Sequence, residues 1–213
     1  SELAGTGTFP TRDAATGDFV FDGSYQYFTF LDLDPVGDRF AKIIKTGNFT
    51  FSFWASVNPD WSGSTFYLID YWNSLDRVQF SYHFEKFPSL PGSPLKLLWF
   101  AGEDFGGAPG GKGGNYQPDF DYDVWNHYTF VADKWSMQFF YNGKVGIDTL
   151  LPGNPEWKLT IDEPQFLPGE KLFIARASYD LQYFSGRMRD FRLYDSAVSA
   201  AEIAALYDET RPS

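Results

Sequence analysis

The chain has 213 residues, with 28 acidic against 17 basic side chains, a formal net charge of −11 and no cysteine. That balance opposes a nucleic-acid partner or an anionic membrane surface, because a phosphate backbone needs a basic footprint. The missing thiols exclude disulfides, thiolate catalysis and Cys-ligated zinc, and no apolar run approaches the roughly 18–20 residues of a membrane span, so no membrane insertion is expected.

A length of 213 residues suits one all-β domain covering 1–213. Glycine at 20 and proline at 13 punctuate many short strands without the excess of a disordered chain. The 23 Phe, 13 Tyr and 7 Trp are more rings than a two-sheet core hides easily. Some are therefore expected on the surface, where clustered rings mark a binding site.

Residues 1–17 are small and polar, an extended arm or a first edge strand. They show neither the basic start nor the apolar stretch of a secretion signal. The expectation is a signal already removed, or release from the cell by another route such as lysis. Asp18–Phe21 and Tyr25–Leu31 read as short strands across the turn Asp22-Gly23-Ser24. Asp32 to Asp38 is a loop with a superficial likeness to a calcium loop, but its twelfth position is Ile43, where an EF-hand needs a bidentate Glu.

Phe49–Val57 alternates cleanly, with Phe49, Phe51, Phe53, Ala55 and Val57 on one face, and reads as a central core strand. A loop carrying Trp61 follows, then strands at Thr65–Tyr71, Arg77–Phe84 and Leu95–Ala101. Glu103 to Gln117 is glycine-rich and too long for a hairpin, so it reads as a functional loop or one pinned by a partner. It holds Lys112 but no Gly-Lys-Ser/Thr, which argues against a phosphate cradle.

Trp125–Val131 and Trp135–Tyr141 form a strand pair across Ala132-Asp133-Lys134, and Asn142-Gly143 is a tight turn that returns a third strand from Lys144. Leu150 to Pro168 contains four prolines and reads as a surface excursion. Lys171–Ala177 and Phe184–Asp195 are the last strands. Ser199-x-x-Glu202 is a capping box opening a helix with Ile203, Leu206 and Tyr207 on one side.

Three stretches, met in order along the chain, resemble the laminin-G-like branch of the concanavalin A-like lectin/glucanase superfamily. The first is Phe21-Asp22-Gly23-Ser24 followed by Tyr27; the second is Trp125-x-His127-Tyr128 with Tyr141-Asn142-Gly143. The third runs from Phe184-Ser185-Gly186 through Asp190 to Tyr194, then Ser199 to Glu202 and Leu206-Tyr207. The resemblance implies an antiparallel β-sandwich, a concanavalin A-like jelly roll with a short C-terminal helix. It also implies a structural role for His127. Many members hold one calcium ion, and Asp22 and Asp190 match the aspartates flanking the family's first and last strands, which are expected to pair. Either could instead accept backbone amide hydrogen bonds.

Asp119, Asp121 and Asp123 alternate with Phe120 and Tyr122, so an extended chain would array three carboxylates on one face. Catalysis, metal or sugar contact, and a solvated acidic edge all remain open there. A retaining glycosidase pair needs carboxyls about 5–5.5 Å apart. The superfamily's catalytic strand has glutamates at both ends, a motif that this sequence lacks, so no catalytic activity is expected. His83 and His127 are the only histidines and do not make a zinc site by themselves.

Flat rings stack on the apolar faces of sugars, and amides or carboxylates bond hydroxyls. Trp61, Tyr71, Trp72, Trp99 and Tyr116 supply rings in or near strand ends and loops, and Asn73, Asp104 and Asn115 the polar groups. Tyr67 and Trp157 are further rings of this set. These residues are the expected carbohydrate site of a non-catalytic, lectin-like adhesion module whose partner is a glycan or cell-surface polysaccharide. The alternative is a decoration protein on a larger assembly such as a phage virion, since the same rings serve subunit contacts equally well. Either function places the protein outside the cell, on its surface, or on a virion surface.

Overall fold

A computed structural model describes residues 9–31, 42–59, 65–72, 78–85, 96–101, 112–116, 121–134, 136–146, 158–160, 171–176 and 183–212. In chain order its strands are β1 (Thr11–Arg12), β2 (Phe19–Asp22), β3 (Phe28–Leu31), β4 (Phe49–Val57), β5 (Thr65–Trp72), β6 (Val78–Glu85) and β7 (Lys96–Ala101). They continue as β8 (Lys112–Tyr116), β9 (Asn126–Asp133), β10 (Ser136–Tyr141), β11 (Lys144–Val145), β12 (Lys158–Thr160), β13 (Lys171–Ile174) and β14 (Ser185–Tyr194). Helix α1 (Ala200–Thr210) follows.

The strands form two antiparallel sheets. The eight-stranded sheet runs β1-β2-β14-β4-β9-β10-β11 with β12 also on β10, and the six-stranded sheet runs β3-β13-β5-β6-β7-β8. One core cluster draws Phe21, Phe53, Phe130 and Met188 from the first sheet and Ile69, Tyr71, Leu172 and Ile174 from the second, which makes the pair a sandwich. The resemblance to a jelly roll with a short terminal helix holds.

The alternation of β4 is realised as expected: Phe49, Phe51, Phe53, Ala55 and Val57 enter that core. Its other face is buried too, at Thr50, Ser52, Trp54 and Ser56. Helix α1 covers part of it. The Trp54 ring stacks on Tyr207 at 5.4 Å, and its Nε1 donates to Thr210 Oγ1 at 2.8 Å. Ile203, one turn from the start of α1, closes a second cluster with Val131 and Phe140.

The capping box forms. Ser199 N donates to Glu202 Oε2 at 2.9 Å, and Glu202 N donates to Ser199 Oγ at 3.3 Å. The Ser199 hydroxyl, donating to Glu202 Oε2 at 2.6 Å, and then the Ser199 N–H hold the Glu202 carboxyl below its ordinary range. Ser199→Ala is expected to cost about 1 kcal/mol, read as an earlier urea midpoint with an unchanged slope. The Asn142-Gly143 turn is also as read: both residues take positive φ, 49° and 76°, and Tyr141 pairs directly with Lys144.

Three segments depart from expectation. Lys112–Tyr116, inside the glycine-rich stretch read as a loop, is edge strand β8, paired residue for residue with β7 from Leu97↔Tyr116 to Ala101↔Lys112. Backbone pairing supplies there what Gly113 and Gly114 lack in intrinsic strand preference. Lys158–Thr160, within the proline-rich excursion, pairs with β10. The described end of the acidic run, from Asp121 to Asp123, is a turn rather than an extended strand: Asp123 has φ 59°, its N donates to Val57 O at 2.8 Å, and Asp121 and Asp123 are both exposed. Among the described residues no helix is long and apolar enough to cross a membrane.

Candidate functional site

Directly paired residues in a sheet share a face, so the register of the six-stranded sheet separates its two sides. Ile69 and Tyr71 of β5 lie opposite Ile174 and Leu172 of β13, and all four are in the core. Phe173, between them, therefore faces away from the core, together with its partners Thr29 and Asp70. At Leu68 the β5–β6 register shifts by a residue, a bulge that places Tyr67 on the same outward side as Asp70. His83, paired with Tyr67, stacks on its ring at 4.5 Å. Tyr67, Asp70 and His83 are nonetheless fully buried. Among the described residues of this face, the partly exposed ones lie at its β3–β13 end.

There the chain leaves β13 through Ala175 at φ 70°, a left-handed conformation that costs an L-residue about 1–2 kcal/mol. Two hydrogen bonds hold it: Ala175 N donates to Leu68 O, and Phe184 N donates to Ala175 O, each at 3.0 Å. Arg176 then forms an isolated bridge with Tyr183. The result aims the guanidinium into a nest of rings. Its carbon lies 4.7 Å from the Tyr27 ring centre, 5.2 Å from Phe173 and 5.8 Å from Tyr183. Contacts of this kind contribute about 0.5–2 kcal/mol each, more where water is excluded.

Beside the nest stands Tyr25. It is 50 % exposed, its ring lies 5.1 Å from that of Tyr183, and its own φ is 58°. The turn that presents it is shaped by Asp22, whose Oδ1 accepts from Ser24 N at 2.7 Å while its N donates to Gln26 Oε1 at 2.7 Å. Burial pushes the Tyr183 hydroxyl above its ordinary range, and the Arg176 charge opposes this. A second strained residue thus presents an exposed ring against Tyr183, at the rim of the nest that holds the cation, and such strain gathers at functional sites.

None of Tyr25, Tyr27, Phe173, Arg176 or Tyr183 stands among the sugar-site residues expected from sequence. The available signal was Tyr25-x-Tyr27, two rings at strand spacing after a turn; Arg176 gave none. Of the expected set, Trp61, Asn73, Asp104, Asp119 and Trp157 lie outside the described residues. Tyr71 is a correction: it is 3 % exposed and belongs to the core, because its side of β5 is the inward one. Trp99 pairs with Tyr82, which pairs with Ile69, so it occupies an inward register position. Tyr116 pairs with Leu97, Asn115 with Leu98, and Trp72 with Lys171. Asn115 and Trp72 fall on the outward side with His83 and Asp70.

The expected pair Asp22 and Asp190 is not brought together. Asp22 lies opposite Ser185, and Asp190 is five residues farther along β14, roughly 17 Å away at about 3.3 Å per residue. Asp190, at φ 54° in the β14 bulge, accepts instead from Arg192 Nε at 2.9 Å. Among the described residues no cluster of three acidic or histidine side chains offers a metal site.

The Trp-x-His and Tyr-Asn-Gly motifs form one hydrogen-bonded unit. His127 N donates to Asn142 Oδ1 at 2.8 Å, and Tyr141 Oη and Asn142 Nδ2 both donate to Asn126 Oδ1, at 2.6 and 3.0 Å. The His127 ring sits 2.7 Å from Ser52 Oγ and against Trp54, and burial lowers its pKa from 6.5 to about 4. A neutral ring held this way is a structural group.

Solved structures share the architecture at low identity. The CBM40 domain of Ruminococcus gnavus IT-sialidase is 12% identical, with a TM-score of 0.63 over 89% of this chain and 96% of that one. The binding domain of botulinum neurotoxin DC, solved in complex with SialylT, is 14% identical, with a TM-score of 0.62 over 95% of this chain and 45% of that one. A SAP-like pentraxin from Limulus polyphemus reaches 0.51 at 13% identity, over 75% of this chain and 69% of its own. A comparison with curated proteins finds no match. A laminin-G family model described as the concanavalin A-like lectin/glucanases superfamily matches residues 22–204. With that match spanning most of a sandwich of this topology, the chain belongs to the concanavalin A-like lectin/glucanase superfamily.

Proposed function

We propose that this protein is a non-catalytic carbohydrate-recognition module, that it meets a glycan or cell-surface polysaccharide outside the cell, and that its binding site is centred on Tyr25 and the ring nest behind it. The observation that carries this reading is a half-exposed tyrosine, held at φ 58° against Tyr183, one of the three rings that surround a fixed guanidinium. A rigid aromatic face with a polar donor next to it suits the apolar face and hydroxyls of a pyranose. Two structural neighbours support the class of ligand: the IT-sialidase CBM40 is also solved bound to α2,3-sialyllactose, and the neurotoxin binding domain is solved with SialylT. The reading as a virion decoration protein draws no support from these relatives.

A glycan array with the purified chain, run with calcium and with a chelator, tests the proposal and decides whether the ion serves the site. Binding to a defined glycan family is expected, and a blank array in both conditions would reject the reading. Tyr25→Ala should weaken the best hit about tenfold or more, which is ~1.4 kcal/mol. Because Tyr25 is 50 % exposed, the melting temperature should barely move.

A further inference from the structure

We infer that the ligand carries a carboxylate and that Arg176 receives it; the inference rests on the carbohydrate reading above. The argument starts from what Arg176 lacks. Arg189 stacks over the Trp125 ring at 4.6 Å and also pairs with Asp18 at 3.3 Å, and Arg192 is bonded to Asp190. Arg176, among the described residues, meets rings alone. Among the described residues no carboxylate and no other acceptor reaches its guanidinium, in a chain carrying 28 acidic side chains.

Its Nε is enclosed with no acceptor, while the residue as a whole is partly exposed. That leaves the two Nη nitrogens as its route to a ligand. Tyr27 and Phe173 are almost fully buried, so the nest exists without the ligand and keeps water from part of the cation. A guanidinium so placed favours a planar, bidentate anion over a hydroxyl, because charge-assisted hydrogen bonds are about twice as strong as neutral ones. Backbone fixation adds to this: the Ala175 bonds and the bridge to Tyr183 hold the chain at Arg176 before any ligand arrives. Tyr25 then meets the ring of the same sugar whose carboxylate meets Arg176.

The test is calorimetric titration of the full chain with α2,3-sialyllactose and with a uronic-acid oligosaccharide. Each is compared with its methyl ester, and lactose and sodium sulfate serve as controls. At least one acid is expected to bind tenfold or more tighter than its ester, and Arg176→Gln should erase that difference. Should Arg176→Gln not fold, Arg176→Lys keeps the charge without the planar fork, and it should narrow the acid–ester gap severalfold. Equal affinity for acid and ester would overturn the carboxylate inference and leave the carbohydrate reading standing. A gap that survives in the Arg176 variants would overturn the assignment to Arg176. Displacement by sulfate with no preference for sugar acids would overturn it in favour of a simple anion site. No binding to any glycan would remove the reading on which it depends.

Discussion

Replacing Gly186 by alanine is expected to destabilise the protein severely. Gly186 lies in β14 opposite Phe21 of β2 and Val57 of β4, with φ at 149°. A Cβ built there would collide with the Ser56 carbonyl oxygen and sit 2.8 Å from Phe184 Cζ. The obstruction is backbone, and β14 is pinned by a neighbour on each side, so neither partner can retreat. Backbone strain of about 1–3 kcal/mol adds to an overpacking cost of similar size. Together they remove about 2–6 kcal/mol, a large share of the roughly 5–15 kcal/mol that holds an ordinary domain. Urea unfolding and soluble yield measure it. A variant with a melting temperature within a few degrees of the parent would contradict this account of the strand packing.

Acid is expected to destabilise the protein through His127 before carboxylate titration is complete. The ring is about 1% exposed and its pKa is lowered from 6.5 to about 4, chiefly by burial. Folded protein therefore resists protonation that the unfolded chain accepts. The associated stability, about 3 kcal/mol, is fully present above pH ~6.5 and is lost as pH falls from there toward about 4. The measurement is the urea midpoint across that window for the parent and for His127→Gln, which keeps a polar partner for Ser52. The variant should start less stable and lose less on acidification. Parallel slopes for the two proteins would show that His127 does not supply the effect.

Legibility from sequence followed the range of the signals. β4, the β9–β10 hairpin, the Asn142-Gly143 turn and the α1 capping box rest on spacing within a few residues, and each forms, with β9 running on through Ala132 and Asp133 of the expected break. β8 was hidden because its strand character comes from pairing with β7, not from Gly113 and Gly114. Tyr71 was misplaced because β5 carries tyrosines on both faces, and the bulge at Leu68 changes the phase between them. Asp22 and Asp190 matched a motif position by position, yet only the β2–β14 register could show how far apart they fall. The nest around Arg176 draws on residues 27, 173 and 183, joined by pairing that no local pattern encodes.

The position of β14 also governs when this protein can fold. The last strand is inserted between β2 and β4, two of the first. Until Tyr194 has left the ribosome, both earlier strands present an open edge to their surroundings. Trp54 must wait longer still, for Thr210 and Tyr207 of α1. Contacts of such sequence separation carry a large loop-closure cost before they return any stabilisation, so the larger sheet closes late and slowly. The nascent chain is then most vulnerable to edge-to-edge association in the interval between completing β4 and completing β14.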